Sequence, residues 1–581
     1  MKGMRRTGVI ALVTMLLLAG CSGRVRTVSL EMAATSDVHG NLFPYDYLGP
    51  AGTGRDGSLA RVSTWLRQER KAQGDNLLYF DLGDNLQGNA LAYQDCTADY
   101  SGMSLPAKVL NDLNCDVAAL GNSDIKAGIA TIDKYVSTAA FPVVCANLFF
   151  SDTQITFLEP YQMIERDGVR IAVVGMTTPA VRTMIPKASL NSLYLKSIAE
   201  SSDTLVRYIR EKEHPHLIVG LFHSGLEGGV EDDGAVENEV LQVARRSSGY
   251  DVIFFGHDHT PYCGKVADCD GDSVLLINPG PYAGKVAKVL LNVQVQGDNL
   301  LECGITGELV DMAGVEPDGR LIAANRERID ALWHYQDSVA GKIDFEIDGA
   351  EALCGPSMLS GYFASAMRRF SGNEIVLVSQ YDASLHIDSG NVTMRDLQRL
   401  FPGDDQITTL MLKGSDVVRI LENSSAAWLN TIHSSSDTLL NIVCTDNGYS
   451  LRHKVSELIS AYGIDYTVDV SKPAGNRIKV LSMSDGKAFD PDKRYRVGLS
   501  SLFAAGGSPR FCEYAEMTGP ELRRFETLAT SADFRFHLIT GLGTNAEKGK
   551  TVHADKPSNW RIIPEQLARP ALKRDLKLLG Y

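Results

Sequence analysis

Residues 77–88 read LLYFDLGDNLQG. A bulky apolar run of strand length stops at Gly83, and the next residue is a carboxylate, Asp84. Four other segments repeat the pattern: VSLEMAATSDVHG at 28–40, DVAALGNSD at 116–124, HLIVGLFHSG at 216–225 and DVIFFGHDH at 251–259. Each has the β-branched or bulky content of a buried strand. Just past each carboxyl end come polar side chains, in all Asp37, His39, Asp84, Asn122, His223, His257 and His259. Open α/β sheets bind their ligands at that edge. Carboxylate and amide oxygens mixed with imidazoles suit a pair of divalent transition ions (manganese, zinc, cobalt or iron type) better than calcium or a single structural zinc.

Working outward, the segment from about 29 to 310 alternates such runs with helical stretches at Ser58–Lys71, Ile129–Thr138, Ser197–Lys212 and Asn238–Arg246, a pattern of strand–helix units packed in layers. Between 311 and 341, PDGRLIAANRERIDALWHYQDSVAG places Leu321, Ile329, Leu332 and Trp333 near helical spacing and reads as a linking helix. A second domain is expected over 342–581, with strands in NEIVLVSQYD, QITTLMLKG, IDYTVDVS, RIKVLSMSDG and RYRVGLSSLF, and helices near Ser357–Phe370 and Asp416–Leu429. A chain of 581 residues is too long for one core. Its 44% hydrophobic and 22% charged content is that of a globular protein.

The net charge of -14 excludes a backbone-driven partnership with a nucleic-acid polymer. A small phosphate remains compatible, because bound cations reverse the local sign. The N-terminus reads as a targeting segment: Lys2, Arg5 and Arg6 precede the apolar stretch Val9–Leu18, and Leu18-Ala19-Gly20-Cys21 resembles a bacterial lipoprotein processing site. The expectation is a signal peptide over 1–20, lipid on Cys21 and a tether over 21–28. That anchors a monomer in the bacterial cell envelope, facing the periplasm because Ser22-Gly23-Arg24 carries no acidic export signature. The other reading is an ordinary secretion signal with a chance cysteine. Of the 10 cysteines, Cys263 and Cys269 flank a short loop and are the expected disulfide.

The donor set suggests its own division. Asp84, with two oxygens to offer, is the natural bridge. Asp37, His39 and His259 complete one coordination shell, and Asn122, His223 and His257 the other. Two ions about 3.5–4 Å apart acidify a water and clamp phosphoryl oxygens for in-line attack. Asn122 gives oxygen without a further negative charge.

Taken together, DVH, GDNLQG, GNSD, FHSG and GHDH in that order resemble the calcineurin-like metallophosphoesterases. PYQMIERDGVRIAVVGMTTPAV is similar to the periplasmic 5′-nucleotidase branch. VTMRDLQRLFPGDDQ, LMLKGSDVVRILENS, IDYTVDVSKPAGNRIKVL, LFAAGG and NWRIIP resemble the nucleotidase C-terminal domain. LQG after Asp84, with IDYTVDVSKPAGNRI, leans toward 2′,3′-cyclic-nucleotide 2′-phosphodiesterase/3′-nucleotidase relatives. The resemblance implies an α/β protein: a four-layer α/β sandwich holding the metals, then a C-terminal α+β domain that supplies the base pocket.

The chain departs from that family at specific positions. Where the family has GNHE, this sequence has Gly121-Asn122-Ser123-Asp124, so Ser123 replaces the histidine that contacts the phosphoryl group. Lys126 replaces the acidic group that orients that histidine, and reads as a solvated lysine. Asp84, Asn122 and Ser123 are the catalytic candidates. Phe401 and Phe503, each one residue from the family's base-clamping aromatics, are the substrate-binding candidates, with core packing as the competing reading. The expected activity is metal-dependent hydrolysis of 5′- or 3′-nucleotides, 2′,3′-cyclic nucleotides or a related small phosphoester. Two alternatives stay open: a metal-retaining, catalytically weakened ligand-binding lipoprotein, and an enzyme shifted to a non-nucleotide ester.

Overall fold

Strands Leu77–Asp81 and Leu217–His223 are buried at every position, as strands covered on both faces must be. The computed structural model describes residues 25–581 apart from 51, 98–101, 191, 233, 297–298, 447 and 547–550. The targeting segment and Cys21 lie outside the described residues. One six-stranded sheet runs, edge to edge, Asn299–Asp311, Lys285–Gln296, Arg26–Thr35, Leu77–Asp81, Val117–Ala119 and Val143–Val144; a second runs Tyr262–Ala267, Ser273–Asn278, Val252–Phe255, Leu217–His223, Val169–Thr177 and Tyr161–Arg166. Leu30, Met32, Leu78 and Phe80 of the first meet Val173, Val219, Leu221 and Phe254 of the second in one apolar layer.

Helices cover the outer faces. Leu59, Val62 and Leu66 of helix Leu59–Gln73 pack under the first sheet, and Ile198, Val206 and Ile209 of helix Ile198–Lys212 under the second. The order is helix, sheet, sheet, helix: the expected four layers. The central pairs are parallel, with Thr35 opposite Asp81 and Phe222 opposite Phe255, so the polar loops after these strands emerge at one edge.

Beneath helix Leu59–Gln73, Glu31 is fully buried and neither carboxylate oxygen has a hydrogen-bond partner. Burial pushes its pKa up from 4.5 to about 7, against the pull of Lys288 Nζ 3.6 Å away. A folded-state value above the unfolded one gives a contribution complete below pH ~4.5 and lost as pH rises through ~7. Glu31→Gln should therefore match the wild-type melting temperature at pH 4.5 and exceed it at pH 8.5. Equal values at pH 8.5 would show that Lys288 neutralises the buried charge.

The linking segment differs from its expectation. It forms two helices, Gly319–Ala324 and Arg326–Asp337, parted at Asn325, whose side-chain amide donates to Leu321 O. Leu321, Ile329 and Leu332 are buried in the first domain's core, so the segment is part of that domain's packing. The following half holds a five-stranded sheet, ordered Ser460–Tyr462, Ile375–Val378, Arg494–Ser500, Gln406–Lys413 and Glu526–Asp533, beside a three-stranded one of Ile478–Met483, Ile464–Asp469 and Trp560–Ile563. Helices Met358–Ser371 and Gly414–Trp428 pack on them.

Cys263 and Cys269 are both free and exposed, which corrects the expected disulfide. Cys263 lies in strand Tyr262–Ala267. At ~3.3 Å per residue the extended chain is already about 13 Å away by Ala267, beyond the ~7 Å that a disulfide spans between Cα atoms.

Candidate metal centre

All seven expected donors arrive at the common edge of the two sheets, and the backbone is bent to bring them there. Asp37, His39, Asp84, His257 and His259 have φ of 52°, 49°, 61°, 77° and 56°, the left-handed region that side-chain-bearing residues seldom occupy. Main-chain bonds from Asp37 N to Gly83 O (3.1 Å) and His39 N to Asp84 O (2.8 Å) join the first two loops. The Asp124 carboxylate, fully enclosed, accepts from the N–H groups of Asp84, Asn85, Leu86 and Gly121 at 2.7–2.9 Å. Gly121 permits this fit, since a Cβ there would lie 2.0 Å from Asp84 Oδ1.

Ligand atoms of Asp37, His39 and His259 lie within 4.8 Å of one another, and so do those of Asp37, Asp84 and His223. His39 Nε2 is 3.2 Å from His259 Nε2, and His223 Nε2 is 3.1 Å from Asn122 Oδ1. Asp84 Oδ2 lies 3.6 Å from His39 Nε2 and 3.4 Å from His223 Nε2. Its Oδ1 is turned away to accept from Ser123 N at 2.7 Å. Of the two carboxylate oxygens, Oδ2 is thus the one that faces the donor cluster. Ser123 Oγ also donates to Oδ2 at 2.9 Å, so the hydroxyl in the histidine's place supports the carboxylate.

The ring nitrogens are oriented from behind. His39 Nδ1 faces Gln87 O at 2.9 Å and His223 Nδ1 faces Leu82 O at 2.8 Å. A carbonyl only accepts, so both rings carry a proton there, and Nε2, facing the cluster, is the atom that would give up its proton to a bound cation. His257 is reversed: Nδ1 is 2.7 Å from Asn122 Oδ1, while Nε2 is 2.9 Å from Glu237 Oε1. Glu237 was not foreseen, because it stands 20 residues before His257 with no spacing that links them. It sits in the hairpin Gly228–Asp232 and Ala235–Asn238. This hairpin, with Gly225 N on Asn238 and Leu226 N on Asp258, orders the glycine-rich stretch Gly225-Leu226-Glu227-Gly228-Gly229 that follows His223. Glu237→Gln should weaken metal retention by about 10–100-fold while Glu237→Asp recovers part of it, as read by titration with a competing chelator. Unchanged retention in the glutamine variant would reduce Glu237 to a packing role.

The residues fit divalent metal. Asp37 Oδ1 is buried with no hydrogen-bond partner, 3.4 Å from His259 Nε2 and 3.7 Å from His223 Nε2. Burial disfavours charge on Asp84, yet the neighbouring His223 holds its pKa far below the carboxylate range. Burial would likewise depress His223, but Asp84 and Asp37 raise it to about 10. The buried carboxylates call for positive charge, which the imidazoles carry here and a bound cation would replace.

A cleft between the domains covers the centre. One cavity, of about 470 Å³, is lined by His39, Ser123, Lys126, Tyr93, Arg535 and Phe536 among others. Lys126 is part-buried and paired, not a freely solvated lysine: Nζ reaches Asp404 Oδ1 at 2.5 Å and Asp405 Oδ1 at 3.4 Å in the second domain. Burial opposes its charge, and these carboxylates raise its pKa well above the usual lysine value. Arg535 binds the carbonyls of Phe401, Pro402 and Gly403, with its guanidinium 4.2 Å above the Tyr93 ring.

Phe401 and Phe503 form no open clamp, which corrects their substrate-binding reading. Phe401 packs edge-on against Tyr381 and Phe534, and Phe503 stacks on Phe511 at 4.8 Å. Both are buried, and the gap they line holds about 30 Å³. The phenyl ring facing the cleft is Phe536, 48% exposed.

Comparison with known proteins agrees with this geometry. Residues 31–261 match the family described as calcineurin-like phosphoesterase, and residues 339–513 the 5′-nucleotidase C-terminal domain. The chain is 30% identical to the 2′,3′-cyclic-nucleotide 2′-phosphodiesterase/3′-nucleotidase of Haemophilus influenzae, over 92% of its own length and 88% of the relative's. It is 23% identical to the trifunctional nucleotide phosphoesterase protein YfkN of Bacillus subtilis, over 92% of this chain but only 39% of that one. A Staphylococcus aureus protein assigned as a 5′-nucleotidase superposes with a TM-score of 0.69 at 20% identity, over 92% of this chain and all of that one, a likeness of fold. The chain belongs to the calcineurin-like phosphoesterases that carry a 5′-nucleotidase C-terminal domain.

Proposed function

We propose that this hydrolase cleaves nucleotides (5′- or 3′-nucleotides and 2′,3′-cyclic nucleotides) at a pair of divalent ions held by Asp37, His39, Asp84, Asn122, His223, His257 and His259. The observation that carries the reading is the convergence of all seven donors on one point at the floor of the cleft. Ions bound there would supply an acidified water and positive charge for the phosphoryl oxygens. The chain's own residues do the rest. Asp124 and Gly121 fix Asp84, and backbone carbonyls fix the tautomers of His39 and His223. Asn122 turns its oxygen inward while its amide nitrogen rests 3.3 Å from Met184 Sδ. Lys126 and Arg535 line the cavity beside Asp404 and Asp533, so its wall carries charges of both signs.

Two further elements belong to the proposal. Export and lipid attachment at Cys21, with activity in the cell envelope, are supported by the sequence Leu18-Ala19-Gly20-Cys21 after an apolar stretch. Nucleoside phosphates as substrates are supported by the activities for which the relatives are named.

The test is hydrolysis of 2′,3′-cyclic AMP, 3′-AMP, 5′-AMP and bis-p-nitrophenyl phosphate by the mature protein with manganese, against a chelator control. Chelator-sensitive turnover of a nucleotide is expected. Turnover that survives the chelator, or none on any of the four with metal bound, overturns the reading.

A further inference from the structure

Glu237 reaches His257 from a hairpin that the second domain also holds. The hairpin strands, Gly228–Asp232 and Ala235–Asn238, set Asp232 opposite Ala235 and Glu231 opposite Val236. The Glu237 carboxylate is divided between two partners. Its Oε1 lies 2.9 Å from His257 Nε2, and its Oε2 accepts from Val230 N at 2.8 Å. The Glu237 carbonyl is fixed within the first domain, accepting from Thr178 Oγ1 at 2.7 Å and Ser224 Oγ at 3.0 Å. Where its backbone sits is thus settled on one strand, and where its carboxylate points is settled on the other, at Val230.

Two residues along that strand, about 7 Å at extended spacing, stands Asp232, only 3% exposed. Arg182 of the first domain comes within 3.4 Å of its Oδ2 without making a hydrogen bond. Arg523 of the second domain donates to its Oδ1, and is itself anchored on Ala505 O at 2.7 Å. A buried carboxylate is costly unless it is paired and hydrogen-bonded. The second domain therefore supplies the charged hydrogen bond that keeps this end of the hairpin in place. We infer, on the strength of the proposed metal centre, that Arg523 is a positioning residue for that centre. Seated on Asp232, it holds Val230, and through Val230 the Glu237 carboxylate, in the orientation His257 requires. Affinity for the ion held by His257 then depends on a side chain that touches no ligand and belongs to the other domain.

The experiment measures manganese affinity, by titration against a competing chelator, in the full chain and in Arg523→Ala, Arg523→Lys, Glu237→Gln and the Arg523→Ala/Glu237→Gln double variant. Gln336→Ala is the control: Gln336 Nε2 donates to Gln398 Oε1 at 2.7 Å, a contact between the halves that does not involve the hairpin. Arg523→Ala is expected to lower affinity for one ion by roughly tenfold, and Arg523→Lys to recover part of the loss. The double variant should bind no more weakly than Glu237→Gln alone, and Gln336→Ala as the wild type does. Unchanged affinity in Arg523→Ala overturns the positioning role and spares the metal centre. So does an equal loss in Gln336→Ala, or a double variant in which the two losses multiply. A wild-type chain that takes up no manganese sinks the centre and the positioning role together. If Arg523→Ala does not fold, Arg523→Gln takes its place under the same criteria.

Discussion

Asp84→Asn should lower kcat/KM on every phosphoester the protein hydrolyses by about 10³-fold, the scale of losing one positioned electrostatic group, and should lower metal content with it. The reasons are local. Oδ2 is the one oxygen close to both His39 and His223, and it also receives the Ser123 hydroxyl. An asparagine keeps the volume but turns a neutral amide into that space, and the positive charge assembled around it loses its counterpart. Steady-state kinetics paired with elemental analysis of the purified variant checks this. Full turnover with metal still bound would place the chemistry elsewhere.

Asp124→Ala should be the most damaging substitution that touches no proposed ligand. Its carboxylate takes four main-chain N–H groups from two loops, and removing it strands them in the interior. Each buried donor left alone costs about 1–3 kcal/mol. Non-additive loss across four puts the change at roughly 3–5 kcal/mol, as for breaking a buried charged contact. The expected result is a clear fall in melting temperature with metal uptake lost in the folded fraction. Asp124→Asn, which keeps the shape and one acceptor, should fall between. An alanine variant as stable as the wild type would mean that water takes over all four donors.

Much of this was legible in the chain. The five strand ends pointed to a layered α/β fold and to the seven polar side chains that meet at its edge, because a buried parallel strand must be apolar throughout and anything polar just past it stands out. The two-sheet sandwich came from the family resemblance. What stayed hidden depended on distance in sequence. Glu237 and Asp124 act through contacts whose geometry only the folded backbone defines. Which Asp84 oxygen faces inward depends on Ser123 N. Lys126 reads as a surface lysine until the second domain brings Asp404 and Asp405 to it. Phe401 and Phe503 were recognisable by position but not by direction, since an aromatic beside a strand end can point to the cleft or to the core. Cys263 and Cys269 show the same limit: closeness along the chain says nothing once a strand extends between them.

The contact between Lys126 and the Asp404–Asp405 pair bears on how the two halves can be exchanged. An ammonium in one half is answered by carboxylates in the other. A hybrid that joined this N-terminal half to a C-terminal half with no acidic residues at those places would seat a cation against an unmatched wall. In any such hybrid of this chain, residues 126, 404 and 405 must be transplanted as one unit so that the charge correspondence is kept.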